Sequence, residues 1–386
     1  MNLQERIDRR RSAHGNGTIV VDRTHLAPVV HRPEPVGRGS VIEQLLDALE
    51  PVFGGDLPDP VAVVGPQGAG KSAVVTATFD ALNDRLGTPD RSIETTTRAG
   101  PAEPVTWFVT VDARGIDSEF AFYRALLSGI TSEPVPSGGI GTEEVRDRLR
   151  SRLDRSDRRA VVAVDHHDEP GSLGFDRVRD LLEPMADSLS LVAVGQEPPD
   201  GWHEARITVP AYRQHELVDV LTARASTGLA PGVLEHEAIR DLADWADGDA
   251  HDAFAALFTA AVFAGDDGGP ITDAHLERAK ADVPADSVHV GRALAVPRTR
   301  QRVLLELVRT EDTRAAIRDL AEVIADRTDL TAGTVERFLY ELADRGVLER
   351  TPLPGEGSGR SPSSVEPRFP LTVFRTLTTA EGADST

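Results

Sequence analysis

The eight residues Gly65-Pro66-Gln67-Gly68-Ala69-Gly70-Lys71-Ser72 decide the fold of this chain, because they fit the phosphate-binding pattern G-x-x-x-x-G-K-[ST] without a gap. The apolar residues 61–64 before them predict a buried strand, and residues 73–79 predict the first turns of a helix. In this setting the glycines turn backbone N–H groups toward one anion, and the helix N-terminus adds its dipole. The alternative, a glycine-rich turn with an incidental lysine, is disfavoured by the strand–loop–helix context.

The motif gives each loop residue a role. Residues 65–73, ending at Ala73, would cradle the phosphates of ATP or ADP. Lys71 would reach the β- and γ-phosphates, and the hydroxyl of Ser72 would hold Mg²⁺. The chain has only two lysines, and Lys71 is one of them. We therefore expect a nucleotide site here.

The composition is acidic and almost free of lysine. Asp and Glu total 63 against 42 Lys and Arg, which gives a net charge of −21. A carboxylate-rich surface stays hydrated in molar salt, where charges are screened within about 3 Å, so the composition indicates a halophilic protein. An ordinary acidic protein would not avoid lysine so thoroughly. The absence of cysteine excludes disulfides and thiolate metal sites. Without an apolar run of about 18 residues or a signal peptide, we expect a cytoplasmic location.

Charge is unevenly distributed along the chain. Residues 1–40 contain seven arginines and four acids, whereas residues 289–386 contain 14 arginines and 15 acids. The last segment therefore carries −1, and the preceding 288 residues carry −20 of the total of −21. On an otherwise acidic protein, such a nearly neutral region is expected to contact a polyanion.

Helix and strand signals alternate from residue 41 to 208 and predict an α/β P-loop module, a parallel sheet with helices on both faces. Four domains are expected: a basic N-terminal segment (1–40), a nucleotide-binding base (41–208), a helical lid (209–286) and a winged helix (287–386). The predicted strands are 61–64, 104–112, 159–165, 189–195 and 205–209. The predicted helices of base and lid are 41–49 (capped by Ser40), 119–127, 142–153, 214–223, 235–245, 250–263 and 273–281.

The last hundred residues predict a winged helix-turn-helix. Helices are expected at 300–309 and 314–326, and a third is expected between Thr331 as its cap and Gly346 as its stop. A strand (347–350), a Gly/Ser/Pro loop (354–362) and a return strand (368–373) complete the pattern. In this module the third helix enters the major groove of duplex DNA. A winged helix that binds proteins is the alternative.

The spacing of the third helix separates an inner face from an outer face. The inward positions form an apolar i, i+3, i+4, i+7 pattern. The outer face would carry Glu341 and the residues expected to bind DNA, and the wing would add two arginines. The inward residues are Val335, Phe338, Leu339 and Leu342; the predicted DNA-binding residues are Thr334, Arg337, Tyr340, Arg350 and Arg360.

The order of several segments resembles the archaeal origin-recognition and cell-division-control initiators, which are AAA+ ATPases. The resemblance implies that ATP binds between base and lid and that the winged helix binds double-stranded origin DNA. It also implies a role in DNA replication, a helicase or other replication proteins as partners, and Arg38 and Tyr212 among the nucleotide contacts. The segments that carry it are Asp22–Leu26, Pro35–Arg38, Gly65–Ser72, Val161–Asp168, Val209–Tyr212, Gly248–Ala250 and the winged helix.

Several positions depart from that family pattern. Asp165 matches the acid that orients magnesium-bound water, but His166 stands where a glutamate is expected. Gln196 stands in the place of an asparagine at the end of the fourth strand and is the expected γ-phosphate sensor. His251 replaces a lid arginine, and the segment from Gln196 to Tyr212, where the resemblance places an arginine finger, is short.

These departures favour binding over turnover, because efficient phosphoryl transfer needs such elements in place. We therefore expect an ATP-dependent switch that hydrolyses ATP slowly or not at all. Asp168 and Glu169 are interpreted as a solvated turn. Two alternatives stay open: an ATP-hydrolysing helicase loader, and a transcriptional or signalling regulator of the same architecture.

Overall fold

The computed structural model describes residues 19–86, 105–155, 157–310, 315–354 and 362–383. The chain divides into two compact units: an α/β unit of residues 31–211, and a helical unit of residues 1–30 and 212–386. In chain order the elements are α1 Arg23–Leu26, α2 Gly39–Ala48, β1 Val61–Val64, α3 Lys71–Leu86, β2 Val105–Asp112, α4 Glu119–Ile130, α5 Thr142–Leu153, β3 Arg158–Asp165, α6 Phe175–Leu182, β4 Leu189–Gly195, β5 Ala205–Thr208, α7 Gln214–Gly228, α8 His236–Trp245, α9 Ala250–Asp267, α10 Asp273–Ala281, α11 Val290–Ala295, α12 Arg298–Val308, α13 Ile317–Ala325, α14 Ala332–Asp344, β6 Leu348–Pro352, β7 Ser363–Pro367 and α15 Leu371–Ala383.

A five-stranded parallel sheet forms the centre of the α/β unit, in the order β2-β3-β4-β1-β5. Alternate residues of β1 enter two different apolar clusters, because successive strand side chains point to opposite faces. Val61 and Val63 pack with α2 and α3, whereas Ala62 and Val64 belong to the cluster of α4 and α5. The predicted parallel sheet with helices on both faces is thus confirmed.

The first helix of the α/β unit begins earlier than the sequence predicted. The carbonyl of Arg38 accepts the N–H groups of Val41 and Ile42, so Arg38 occupies the N-cap position, although its side chain makes no capping bond there. The expectation that Ser40 caps this helix is therefore wrong. The predicted bounds of β1, β4 and α5 are confirmed to the residue.

Residues 19–30 pack on the helical unit. Arg224 on α7 is 5% exposed, and its guanidinium donates to the carbonyls of His25, at 2.9 Å, and Val30. Gly228 allows this close approach, because a Cβ there would lie 2.4 Å from the Cγ of Leu26. A buried guanidinium that binds backbone carbonyls thus fixes this segment on α7.

The C-terminal part of the helical unit contains α12 to α14, followed by the antiparallel pair β6–β7. The hydroxyl of Thr331 accepts the N–H of Thr334, so the predicted cap of α14 is confirmed. Gly346, at φ 67°, supplies the left-handed backbone after this helix. The predicted loop 354–362 lies mostly outside the described residues.

The predicted return strand at residues 368–373 is wrong. The strand is Ser363–Pro367, and α15 begins at Leu371. Val373 and Phe374 on this helix are fully buried, and so is Phe369 just before it. The helix start is fixed from a distance, since the carboxylate of Asp282 accepts both the N–H and the hydroxyl of Thr372 at 2.8 Å. In the parts of the chain that the structure describes, no helix combines the length and apolarity that crossing a bilayer requires.

Candidate nucleotide site and nucleic-acid interface

The phosphate-binding loop connects β1 to α3, and its backbone conformation requires glycine. A Cβ on Gly65 would lie 2.1 Å from the carbonyl oxygen of Val209, so no side chain fits there. Gly68, at φ 67°, and Gly70, at φ 83°, adopt left-handed conformations that favour glycine. The N–H of Gly65 donates to the carbonyl of Gln196 at 3.3 Å, which joins the loop to the end of β4.

Lys71 and Ser72 begin α3, at the positive end of the helix dipole. The ammonium of Lys71 donates to the carbonyls of Gly65 at 2.8 Å and Pro66 at 2.7 Å, which holds its charge against the loop. The hydroxyl of Ser72 is hydrogen-bonded to the carboxylate of Asp165. The structure thus brings together the cation, the hydroxyl and the acid that the sequence predicted for a nucleotide site.

Arg38 contacts the backbone of this loop. Its side chain is buried, at 2% exposure. Nε donates to the carbonyl of Ala69 and Nη2 to the carbonyl of Pro210, both at 2.9 Å. This guanidinium thereby links the loop to the residue that follows β5 and Val209. A direct contact of Arg38 with nucleotide stays a prediction.

The carboxyl ends of β2 and β3 carry a charged cluster in which Asp165 is buried and Asp112 is exposed. Asp112 and Asp165 end these neighbouring strands in register. Arg114 forms an ion pair with Asp112 at 2.6 Å and adds a second cation near Asp165. Asp112 and Arg114 were not assigned to the site from the sequence. Two aspartates that end neighbouring parallel strands are expected to lie at the same edge of the sheet, and this pattern could have identified Asp112 and the adjacent Arg114.

Asp165 and His166 form a close pair within this cluster. Nδ1 of His166 lies 2.8 Å from Oδ1 of Asp165. Burial alone would raise the pKa of Asp165, but the charge and hydrogen bond of His166, the hydroxyl of Ser72 and the charge of Arg114 hold that pKa at about 2. Burial lowers the pKa of His166, yet Asp165 outweighs burial, so the pKa of the imidazole lies above its usual value.

Asp168 lies in an exposed turn, as the sequence predicted, but its carboxylate has a definite partner. Its carboxylate accepts the N–H of Gln196 at 2.7 Å and fixes the backbone just after β4. The Gln196 side chain is exposed beside the phosphate-binding loop. His167, which sequence reasoning missed, is 7% exposed and packs edge-on against Phe175. Its neighbours come from distant parts of the chain, so no local pattern marks it.

Tyr212, predicted to contact nucleotide, and His251, which replaces a lid arginine of the family pattern, belong to the helical unit. His251 is 3% exposed. Its Nε2 accepts the N–H of Val290 at 3.0 Å, so Nδ1 carries hydrogen and donates to Asp252 at 2.9 Å. Tyr212 is 8% exposed and donates its backbone N–H to Gly248 at 3.2 Å. The imidazole of His251 thus has a structural role, and a nucleotide contact by Tyr212 stays a prediction.

The third helix of the winged region exposes the residues expected to bind DNA. All four residues predicted to face inward are buried. Arg337 and Tyr340 are exposed, and Arg350 on β6 places its guanidinium 5.8 Å from the ring of Tyr340. Helix and wing thus present neighbouring basic and aromatic groups. The residues buried on the inner face are Val335, Phe338, Leu339 and Leu342.

Other predictions for this face have mixed outcomes. Thr334 is half-buried and hydrogen-bonded to the hydroxyl of Thr331 at 2.9 Å. Glu341 is not freely exposed, because it forms an ion pair with Arg300 at 3.0 Å. That arginine also lies over the ring of Phe338, at 4.1 Å. Arg360 lies outside the described residues.

The comparisons with known proteins agree with this architecture. Residues 34–194 match the family model of the AAA ATPase domain. The chain is similar to the ORC1-type DNA replication protein 6 of Halobacterium salinarum, with 25% identity over 90% of this chain and 93% of that protein. Together these matches support the AAA+ family of archaeal origin-recognition proteins.

Solved structures of related AAA+ proteins share the fold. The ORC1 protein of Aeropyrum pernix in complex with DNA is similar at a TM-score of 0.62 and 21% identity, over 94% of this chain and 97% of that one. The ORC2 protein of the same organism in its ADPNP–ADP complexes is similar at a TM-score of 0.54 and 17% identity, over 95% of this chain and all of that one. The predicted AAA+ family and fold class are confirmed.

Proposed function

We propose that this AAA+ protein binds ATP and duplex DNA at a replication origin and acts as an ATP-dependent switch with weak or absent hydrolysis. The observation that carries the proposal is a complete phosphate-binding loop beside an altered acidic pair. The contacts of Lys71 with the loop and of Ser72 with Asp165 support nucleotide binding, whereas His166 contacts Asp165 at the position where the family resemblance requires a glutamate. Binding groups are present, and the group that activates water is replaced.

The nucleotide site is expected to take ATP or ADP together with a divalent cation. Ser72 and Asp165 would hold that cation, and their hydroxyl and carboxylate oxygens are the hard ligands that Mg²⁺ prefers. When bound, the cation neutralises charge on the phosphates. Lys71 adds a second positive charge, and the N-terminus of α3 supplies backbone donors and its dipole.

Slow turnover follows from the chemistry of the altered positions. A general base must reach the proton of the attacking water. Nδ1 of His166 instead contacts Asp165 at 2.8 Å, which leaves it poorly placed for that proton. Both ring nitrogens of His251 already have partners inside the helical unit. Since loss of a single arginine finger can cost about 10³ in turnover, we expect hydrolysis well below about 1 s⁻¹.

DNA binding is proposed for the outer face of α14 and for the wing. Arg337 and Tyr340 are exposed on that helix, and Arg350 lies beside them. This region is far less acidic than the remainder of the chain, which favours a polyanionic partner. At molar salt little free energy comes from counterion release, so shape and base contacts should dominate. The H. salinarum relative is named a DNA replication protein, which supports an origin over other DNA sites.

Selection of fragmented genomic DNA by the full chain at molar KCl tests this proposal. With ATP present, we expect repeated elements of one locus to be enriched. Enrichment at many promoters would contradict the origin assignment and favour a transcriptional regulator. Turnover at about 1 s⁻¹ or faster would contradict the switch and favour an active helicase loader. Helicase and other replication proteins are proposed partners that this selection does not probe.

A further inference from the structure

An imidazole nitrogen lies beside the carboxylate that is proposed to hold the cation of the nucleotide site. Nδ1 of His166 is 2.8 Å from Oδ1 of Asp165, and that carboxylate also accepts a hydrogen bond from Ser72. The carboxylate of Asp165 therefore contacts both a hydroxyl and an imidazole. Hydroxyl and carboxylate suit Mg²⁺, whereas imidazole suits the first-row transition metals.

The separation of the two side-chain atoms fits shared coordination. Two ligand atoms that each lie about 2.1 Å from an octahedral ion, at right angles to each other, are about 3.0 Å apart. The observed 2.8 Å between Nδ1 and Oδ1 is close to that value. Only a small adjustment of the two side chains is needed to place one ion against both atoms.

The backbone holds the imidazole in this position. His166 adopts φ 62°, in the left-handed region that few non-glycine residues adopt, and its N–H donates to the carbonyl of Val194 at 2.9 Å. Its side chain is 13% exposed, so the ring has little freedom to turn into solvent. Strained backbone at such a point is typical of functional sites.

The charges around the pair also favour a cation. Asp112, Asp165 and Glu169 place three carboxylates around the guanidinium of Arg114, which is paired with Asp112. The ammonium of Lys71 is bonded to loop carbonyls. Carboxylates thus outnumber the guanidinium within this cluster.

We propose that Nδ1 of His166, together with the carboxylate of Asp165, is a direct ligand of the divalent cation that accompanies the nucleotide, and that the site therefore prefers Mn²⁺ to Mg²⁺. This rests on the proposed function, because the cation enters with the nucleotide. His166 thus offers a nitrogen ligand at the position where the family resemblance places a glutamate that activates water. Mg²⁺ gains little from such a ligand, whereas affinity for nitrogen rises along the first-row metals.

Electron paramagnetic resonance of the full chain with Mn²⁺ and ADP at molar KCl tests the assignment. Pulsed spectra should show ¹⁴N coupling from a directly bound imidazole and ³¹P coupling from the nucleotide. In His166→Asn the ¹⁴N coupling should vanish, while ³¹P coupling persists. Asparagine is the matched replacement, because it is also enriched in the left-handed region. His203→Asn, at an exposed loop histidine of the same unit, should leave both couplings unchanged.

The possible spectra separate this inference from the function on which it rests. Bound Mn²⁺ with ³¹P but without ¹⁴N coupling would overturn the ligand role of His166 and leave the nucleotide site standing. No bound Mn²⁺ in the presence of ADP would overturn both.

A calorimetric measurement provides a second readout. The ratio of the Mg²⁺ to the Mn²⁺ dissociation constant, each measured with ADP, should fall about tenfold in His166→Asn, within the range known for altered metal surroundings. An unchanged ratio would contradict the proposed preference for Mn²⁺.

Discussion

Replacement of Arg38 by methionine should destabilise the α/β unit through the backbone of the phosphate-binding loop. Methionine retains most of the aliphatic volume but offers no N–H donor. The change therefore removes the hydrogen bonds to the carbonyls of Ala69 and Pro210, both 2.9 Å long, and little packing. Ala69 is fully buried, so water cannot replace the lost donor at its carbonyl.

The expected loss of unfolding free energy in Arg38→Met follows from these two hydrogen bonds. A hydrogen bond from a charged group contributes about 1.5–3 kcal/mol. The bond to buried Ala69 should lie near the middle of that range, and the bond to exposed Pro210 near about 1 kcal/mol. The sum is about 3 kcal/mol. With a urea slope of about 2–3 kcal/mol per molar, the midpoint should fall by about 1 M.

Urea unfolding at molar KCl, followed by tryptophan fluorescence, measures this shift. Trp107 and Trp202 lie in the α/β unit, and a Trp245→Phe background removes the signal of the helical unit. Arg179→Met is the matched control, because its side chain is half exposed and its ion pair with Asp176, at 3.8 Å, contributes little. We expect an unchanged midpoint for the control.

A different pattern would refute this reasoning. If Arg38→Met unfolds at the midpoint of the parent but binds ADP more than tenfold more weakly, Arg38 contacts the nucleotide itself. The predicted nucleotide contact would then be correct, and the structural role that the two carbonyl bonds assign to Arg38 would be wrong.

Four further predictions follow from other contacts. Lys71→Ala should weaken Mg·ATP binding at least about 100-fold in calorimetry while the unfolding midpoint stays near that of the parent, because the loop carbonyls that Lys71 contacts are part-exposed and water can replace its N–H donors; equal affinity would contradict its role. Asp282→Ala should cost about 3 kcal/mol in urea unfolding, and Thr372→Val about half as much, because both bonds of the half-buried carboxylate to Thr372 are 2.8 Å long; a midpoint unchanged in both variants would exclude this anchor. Arg337→Ala should weaken binding to a specific DNA site by about 1–3 kcal/mol, measured by fluorescence anisotropy, and binding to random DNA by much less. Equal losses for the two kinds of DNA would mean that Arg337 contacts only phosphate. The low pKa of Asp165, about 2 in the folded protein against 3.8 when unfolded, adds about 2 kcal/mol to the free energy of unfolding above pH 4, and this contribution is lost as the pH falls toward 2. Asp165→Asn should lack this contribution in urea unfolding, and identical pH profiles of the two proteins would contradict it.

The sequence predicted those elements whose cause is local. The bounds of β1 and α5 were predicted to the residue, because a short apolar run between loop signals and an amphipathic period with a clear start are properties of the segments themselves. The phosphate-binding loop was predictable for the same reason, since its glycines and Lys71 are contiguous.

Features that depend on distant partners were not predictable. The return strand was misplaced because residues 368–373 carry β-favouring side chains, whereas Asp282, some ninety positions away, anchors the start of a helix there. Arg224 gives no local sign that it binds carbonyls of the N-terminal segment. His166 was recognisable as a departure, but its contact with Asp165 required the structure.

The central claim is that bound ATP controls DNA binding by this AAA+ protein, and one measurement tests it directly. DNA recovered in the genomic selection is titrated with the full chain at molar KCl, with and without ATP, and with Lys71→Ala in parallel. The account predicts that ATP tightens binding at least about tenfold, or about 1.4 kcal/mol, for the parent and has no effect for Lys71→Ala. Equal DNA affinity of the parent with and without ATP would contradict it.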